Sequence, residues 1–172
     1  MMYATFFSAL EDHFALASRQ RWADLGCGTG TFTRALAAIL PPESEIIAID
    51  KTRQSLAPLM AKEVKVNFLQ ADMEQDRLPV NHLNGMLMAN SLHYIRDKNA
   101  FIRKLEPAFA AQKQWLIVEY DTEKANQWVP FPLSLEKLRA MFTALGYHHV
   151  EKINSRPSIY GGTMYAALVT NL

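Results

Sequence analysis

The sequence predicts an α/β fold in which a mainly parallel sheet carries helices on both faces. Three observations point there. Short apolar segments alternate five times with stretches of helical periodicity, the pattern of strands joined by crossover helices. The last two apolar segments have no helix between them, only a loop containing Gly161 and Gly162, so they form an antiparallel pair. A glycine-rich turn, "GCGTG", joins the first strand to the helix after it, at the strand end where such sheets bind ligands.

The elements follow in order. Residues 3 to 18 place Phe6, Phe7, Leu10, Phe14 and Ala17 near helical spacing. "RWADL" is the first strand, and Thr31 to Ile39 is a helix stopped by Pro41 and Pro42. "EIIAID" is the second strand. Thr52 to Lys62 is expected to be helical, with Thr52 as N-cap and Pro58 kinking or shortening it. "VKVNFLQAD" ends near Asp72 as the third strand. "LNGMLMAN" is nearly all apolar, as a strand covered on both faces must be. A helix spans Asp97 to Ala111, with Pro107 breaking it near its end, and "QWLIVEYD" is the fifth strand. "SLEKLRAMFTALG" is a helix capped by Ser134 and ended by Gly146. "YHHVEKINS" and "TMYAALVT" complete the sheet.

Bulk properties exclude several classes of function. A chain of 172 residues, 49% hydrophobic, suits one compact domain, here residues 1–172, with an N-terminal helix over 1–19 expected to cover the site. A formal net charge of +1 offers no surplus of basic groups for a nucleic-acid backbone. Cys27 is the single cysteine, so there is neither an intrachain disulfide nor a cysteine zinc site; it is expected to pack rather than attack. His82, His148 and His149 are expected to be solvated, no histidine pair has metal spacing, and no metal is expected. No apolar run approaches membrane-spanning length, and "MMYATFFSALEDHF" lacks the basic head and unbroken apolar block of a signal peptide. The expectation is a cytoplasmic protein, monomeric or homodimeric, with no membrane partner.

The chemistry lies in the glycines and the acids around them. Gly26, Gly28 and Gly30 form G-x-G-x-G, not the G-x-G-x-x-G of dinucleotide sites, and Asp24 stands two residues before the first. A carboxylate there repels a pyrophosphate and suits a ligand carrying an amine or a sulfonium. Asp50 ends the second strand, where an acid accepts hydrogen bonds from both ribose hydroxyls. Asp72 ends the third, where an acceptor meets an adenine amino group.

These motifs resemble the class I S-adenosylmethionine-dependent methyltransferases over most of the chain. "DLGCGTG", "IIAID", "LQADMEQ" and "LMANSLHYIRD" correspond to successive family segments, and the terminal antiparallel pair is a family trait. The resemblance implies a Rossmann-like seven-stranded sheet of order 3-2-1-4-5-7-6, with S-adenosyl-L-methionine as the cofactor. It implies that Asp24 lies near the methionine ammonium and that the three glycines let the backbone pass under the ligand. Asp50 then holds the ribose, Asp72 the adenine amino group and Met73 the adenine face, while Asn90 stands where a backbone carbonyl holds the methionine moiety.

The family's geometry brings the segments after the fourth and fifth strands to the transferred methyl. They offer His93 and Tyr94 as candidate catalytic residues, and Tyr120, Asp121, Trp128 and Phe131 as acceptor contacts. Tyr3, Phe6 and Phe7 are expected to cover the top. Aromatic walls with few polar groups suit a small ligand, and His93 is the side chain titrating nearest neutrality. His93 as a cap and Trp128 as core packing are the competing expectations. The segment "ANSLHYI" lacks the Asn/Asp-Pro-Pro-aromatic motif of methyltransferases acting on adenine or amide nitrogen, which favours a small-molecule acceptor. The expected activity is methyl transfer by in-line displacement. Two alternatives are a silent cofactor-binding subunit that supports a partner and a nicotinamide-dependent oxidoreductase.

Overall fold

A computed structural model describes residues 3–56 and 63–172. Its seven strands are β1 (Arg21–Leu25), β2 (Glu45–Asp50), β3 (Lys65–Gln70), β4 (Gly85–Ala89), β5 (Gln114–Tyr120), β6 (His149–Pro157) and β7 (Thr163–Thr170). They form one sheet of order β3-β2-β1-β4-β5-β7-β6. β7 is antiparallel to both its neighbours, whereas the other pairings are parallel. Strand order reverses between β1 and β4, so the crevice at their carboxyl ends is the ligand position of this topology.

The helices α1 (Glu11–Ala15), α2 (Thr31–Ile39), α3 (Lys98–Leu105) and α4 (Leu135–Ala144) sort by sheet face. Strand side chains alternate between the two faces. Ala23, Leu25, Trp115 and Ile117 bury against Phe101, Ile102 and Leu105 of α3 and Leu138 and Phe142 of α4. Trp22, Leu116 and Val118 bury on the other face with Phe6, Phe7, Phe14 and the α2 residues Ala35, Leu36 and Ile39. One contact between strands depends on an absent side chain. Trp22 pairs with Gly85 across β1 and β4, and a Cβ on Gly85 would lie 2.3–2.5 Å from the indole ring.

Local signals explain the helix ends. The Asp97 side chain accepts from the Ala100 N–H to start α3, and Ser134 accepts from the Lys137 N–H to start α4. Gly146, at φ +95°, follows α4 in the left-handed conformation that ends a helix. α3 stops at Leu105, and Pro107 lies in a short 3-10 turn over Glu106–Ala108.

Two expectations need correction. Residues 3 to 18 do not form one helix: a 3-10 turn over Ser8–Leu10 leads into the five-residue α1. The adjacent Phe6 and Phe7 are both fully buried, which a one-sided surface helix does not allow, so the chain turns to bury both. Thr52 does not cap a helix, and residues 52–56 are not helical, because the Asp50 carboxylate captures the Thr52 N–H (2.9 Å) in a turn. The rest of that expected helix, including Pro58, lies outside the described residues. No helix among the described residues is long and apolar enough to cross a membrane.

Candidate active site

The glycine loop is bound to its neighbours on two sides. The N–H groups of Gly26 and Cys27 both donate to the Ile49 carbonyl, at 2.8 and 2.9 Å, so the loop is tied to the end of β2. Gly26 takes φ +75°, and a Cβ there would stand 2.7 Å from the Ser91 Cβ. Its missing side chain is what allows the segment after β4 to close on β1, a contact sealed by Ser91 Oγ donating to the Leu25 carbonyl (2.7 Å). Gly28 differs. At φ +51° it faces open space, with no heavy atom within 4 Å of a built Cβ. Gly30, also at positive φ, leads into α2.

Asp24 is 1% exposed at the end of β1. Its Oδ2 accepts from Thr33 Oγ1 of α2 at 2.5 Å, but its Oδ1 has no partner among the described residues. Burial pushes its carboxyl up to about 7; the Thr33 hydroxyl opposes this and nearby Asp50 adds to it. Asn90, at the end of β4, shows the same feature. Its Nδ2 reaches Met164 Sδ at 3.4 Å, while its buried Oδ1 is unpartnered. Two unsatisfied buried oxygens thus flank the crevice, and unpaired groups of this kind are expensive unless something bound there satisfies them. A ligand ammonium is a donor of the right kind and charge.

Asp50 carries the next part of the site. Its Oδ2 accepts from the Gly28 N–H and its Oδ1 from the Thr52 N–H, both at 2.9 Å. Each oxygen keeps a lone pair, so the fixed carboxylate retains the capacity to accept a vicinal diol. Asp72 Oδ1 accepts from the N–H groups of Glu74 and Gln75, while no described group occupies Oδ2. Met73 Cε lies 3.9 Å from the position of a Cβ on Gly26, so this side chain forms an apolar wall beside the glycine loop. Ammonium acceptors, a diol acceptor and an apolar wall suit S-adenosylmethionine along its length. Cys27 is inert by environment, since burial, Asp24 and Asp50 push its thiol up to about 12.

On the acceptor side, His93 is 2% exposed and turned inward. Its Nδ1 lies 2.8 Å from Glu119 Oε2, and its backbone N–H donates to Glu119 Oε1 at 3.0 Å. Tyr94 is half-exposed and lies over the imidazole, with ring centroids 4.3 Å apart; Tyr120 lies 5.9 Å away. Burial holds the Tyr120 phenol above its usual range, with smaller contributions from Glu119, Tyr160, Tyr3 and Tyr94. The Phe131 backbone is tied to that of His93 by its N–H bond to the His93 carbonyl (3.0 Å), and its ring lies near the cations of Arg96 and Lys98. Trp128 is 69% exposed and is not core packing. Asp121 accepts from the Leu135 N–H at the start of α4 (2.9 Å), so its carboxylate already serves the fold. Phe6 and Phe7 do not cover the top; they pack in the core beside Phe32, and Tyr3 packs against Phe6 and Phe32 at the edge of that cluster.

Sequence reasoning missed Thr33, Ser91, Glu119 and Tyr160. Glu119 carried a signal, being the one charge in the apolar run "QWLIVEY". Tyr160 sits beside Gly161 and Gly162 at the β6–β7 turn, which the antiparallel pairing of Met164 with Tyr120 brings near the carboxyl end of β5.

Comparison with known proteins bears on the family and the fold. Residues 23–110 match the family described as "Methyltransferase domain". Over 115 residues the chain is 28% identical to the ubiquinone/menaquinone biosynthesis C-methyltransferase of Pseudomonas aeruginosa, covering 63% of this chain and 45% of that protein. The chain therefore spans about half the length of the curated relatives it matches. A SAM-dependent methyltransferase from Aquifex aeolicus superposes with a TM-score of 0.66 at 17% identity, covering 99% of this chain and 93% of that one. The 1,6-didemethyltoxoflavin-N1-methyltransferase of Burkholderia thailandensis, solved with 1,6-didemethyltoxoflavin and S-adenosylhomocysteine, gives 0.70 at 15% identity, covering 97% and 77%.

Proposed function

The chain belongs to the class I S-adenosylmethionine-dependent methyltransferases, and from that premise we propose that it transfers a methyl group to a small-molecule acceptor. The observation that carries the proposal is the pair of orphaned buried oxygens, Asp24 Oδ1 and Asn90 Oδ1, flanking the crevice beside the open space over Gly28. A cationic amino acid moiety relieves both. The Burkholderia neighbour's small heteroaromatic acceptor and the near-neutral charge of this chain support a small molecule over a nucleic acid.

When bound, S-adenosylmethionine supplies a methyl group already activated by a positively charged sulfur. The residues of this chain then bind and align. Asp24 and Asn90 take the ammonium end, Asp50 the ribose diol, and Asp72 and Met73 the adenine, while Gly26, Gly28 and Gly30 keep the floor clear. His93, Tyr94, Tyr120, Trp128, Phe131 and Tyr3 form the acceptor side. In-line displacement depends on holding nucleophile, carbon and sulfur in a row, and positioning of that kind is worth roughly 7–11 kcal/mol.

The test has two stages. Titration calorimetry with S-adenosylhomocysteine and with NAD and NADP comes first, and binding of the dinucleotides instead of S-adenosylhomocysteine would return the oxidoreductase to favour. A labelled-methyl transfer screen against small-metabolite extract follows. Cofactor binding with no labelled product from any extract would favour a silent binding subunit.

A further inference from the structure

Glu119 is fully buried at the end of β5, and His93 takes both its oxygens, one through the backbone N–H and one through Nδ1. No other side chain among the described residues bonds to it; the remaining donor is the Tyr120 N–H at 3.3 Å. Where Glu119 Oε2 accepts from the ring, the imidazole proton sits on Nδ1, and in the neutral ring that leaves the Nε2 lone pair free. Among the described residues Nε2 has no hydrogen-bond partner, and the imidazole keeps a small exposed edge, 3% of its side-chain surface. Tyr94 and Tyr120 pack beside this imidazole, with ring centroids 4.3 and 5.9 Å from it, and form an aromatic rim. It is also close to the donor end of the crevice, because Ser91, two residues before His93, is bonded to the end of β1.

A clip that only held the fold would need no free Nε2 at an aromatic rim. Resting on the methyltransferase reading above, we propose that Glu119 is a positioning residue fixing His93 as an Nε2 base, and that the acceptor is a planar aromatic compound bearing a hydroxyl group. Neutral amines attack with a lone pair already available. A hydroxyl keeps its proton at neutral pH and gains from a base placed against it. The hydroxyl proton passes to Nε2, the oxygen forms its bond to the methyl carbon, and the sulfur keeps the electron pair of the bond that breaks. The proton then leaves Nε2 for solvent. Aromatic faces at the rim match a flat ring better than an aliphatic chain.

The experiment uses the full chain labelled with 15N-histidine and saturated with S-adenosylhomocysteine, with 2-naphthol as the probe. Long-range 15N–1H spectra, assigned through His93→Gln, are expected to show His93 protonated on Nδ1 and bare on Nε2, with Nε2 shifting when 2-naphthol is added. In Glu119→Gln the amide donates to Nδ1, so the proton is expected on Nε2. There 2-naphthol affinity should fall at least tenfold while S-adenosylhomocysteine affinity stays within twofold. A wild-type imidazole protonated on Nε2, no response to 2-naphthol, or unchanged 2-naphthol affinity in Glu119→Gln overturns the proposal. If Glu119→Gln does not fold, the wild-type tautomer and its 2-naphthol response decide the matter alone. Failure of the wild-type chain to bind S-adenosylhomocysteine refutes the underlying reading, whereas cofactor binding without a naphthol response refutes this proposal only.

Discussion

Replacing Asp24 with Asn should stabilise the cofactor-free protein at alkaline pH while weakening cofactor binding. The carboxyl is 1% exposed, bonded on one oxygen to Thr33, and pushed by burial up to about 7 from an ordinary value of 3.8. A carboxyl raised in the folded state binds its proton more tightly folded than unfolded. Its contribution is therefore intact below about 4, is lost as pH rises to about 7, and stays lost above that. A rise of about three units corresponds to about 4 kcal/mol. Asn cannot ionise, so it escapes that loss, but its amide placed at the orphaned Oδ1 position leaves an unpaired buried donor costing about 1–3 kcal/mol. The net expectation at pH 8 is a variant about 1–3 kcal/mol more stable than the wild type, an advantage that vanishes or reverses near pH 4.5. Urea denaturation of both proteins without cofactor, at several pH values, reads this difference directly. Binding moves the other way: the ligand ammonium loses its counter-charge, so S-adenosylhomocysteine affinity at pH 8 should drop at least tenfold. A variant less stable than wild type at pH 8, with the same pH dependence, would refute the argument that Asp24 is a strained buried acid kept for a cation.

Three further substitutions separate binding from folding. Gly28→Val fills the open space beside the crevice and places a β-branched residue at φ +51°; calorimetry should show at least tenfold weaker S-adenosylhomocysteine binding, with circular dichroism still reporting a folded sheet. Asp50→Ala removes the proposed diol acceptor and the partners of the Gly28 and Thr52 N–H groups, so affinity should again fall at least tenfold; wild-type affinity would sink that assignment. Gly85→Ala drives a methyl into the Trp22 indole in the middle of the sheet, so denaturation should show a loss of about 1–3 kcal/mol, with cofactor affinity per folded molecule unchanged.

What the sequence disclosed and what it hid divide along a physical line. The bounds of β1, β2 and β7 and of α2 follow from apolar runs and their breakers, which are local patterns. The placing of Asp24, Asp50 and Asp72 along one edge of the sheet was legible because each stands at or near the carboxyl end of a strand, so position along the chain implies position in space. The expected helix after Asp50 failed where a side chain competed with the helix for a backbone N–H, and propensity does not register that contest. The N-terminal segment failed because helical spacing marked Phe6 and Phe7 without showing that both must be buried. Glu119 and His93 are 26 residues apart, on different elements, and neither periodicity nor a motif couples them. Only the parallel pairing of β4 with β5 brings the two together. The proposed donor site rests on a glycine loop and strand-end acids, each of which local sequence can spell out. The acceptor site rests on contacts between loops, and this is why the methyl donor could be read from the sequence while the partner that receives the methyl must be argued from the imidazole, its carboxylate and the tyrosines around them.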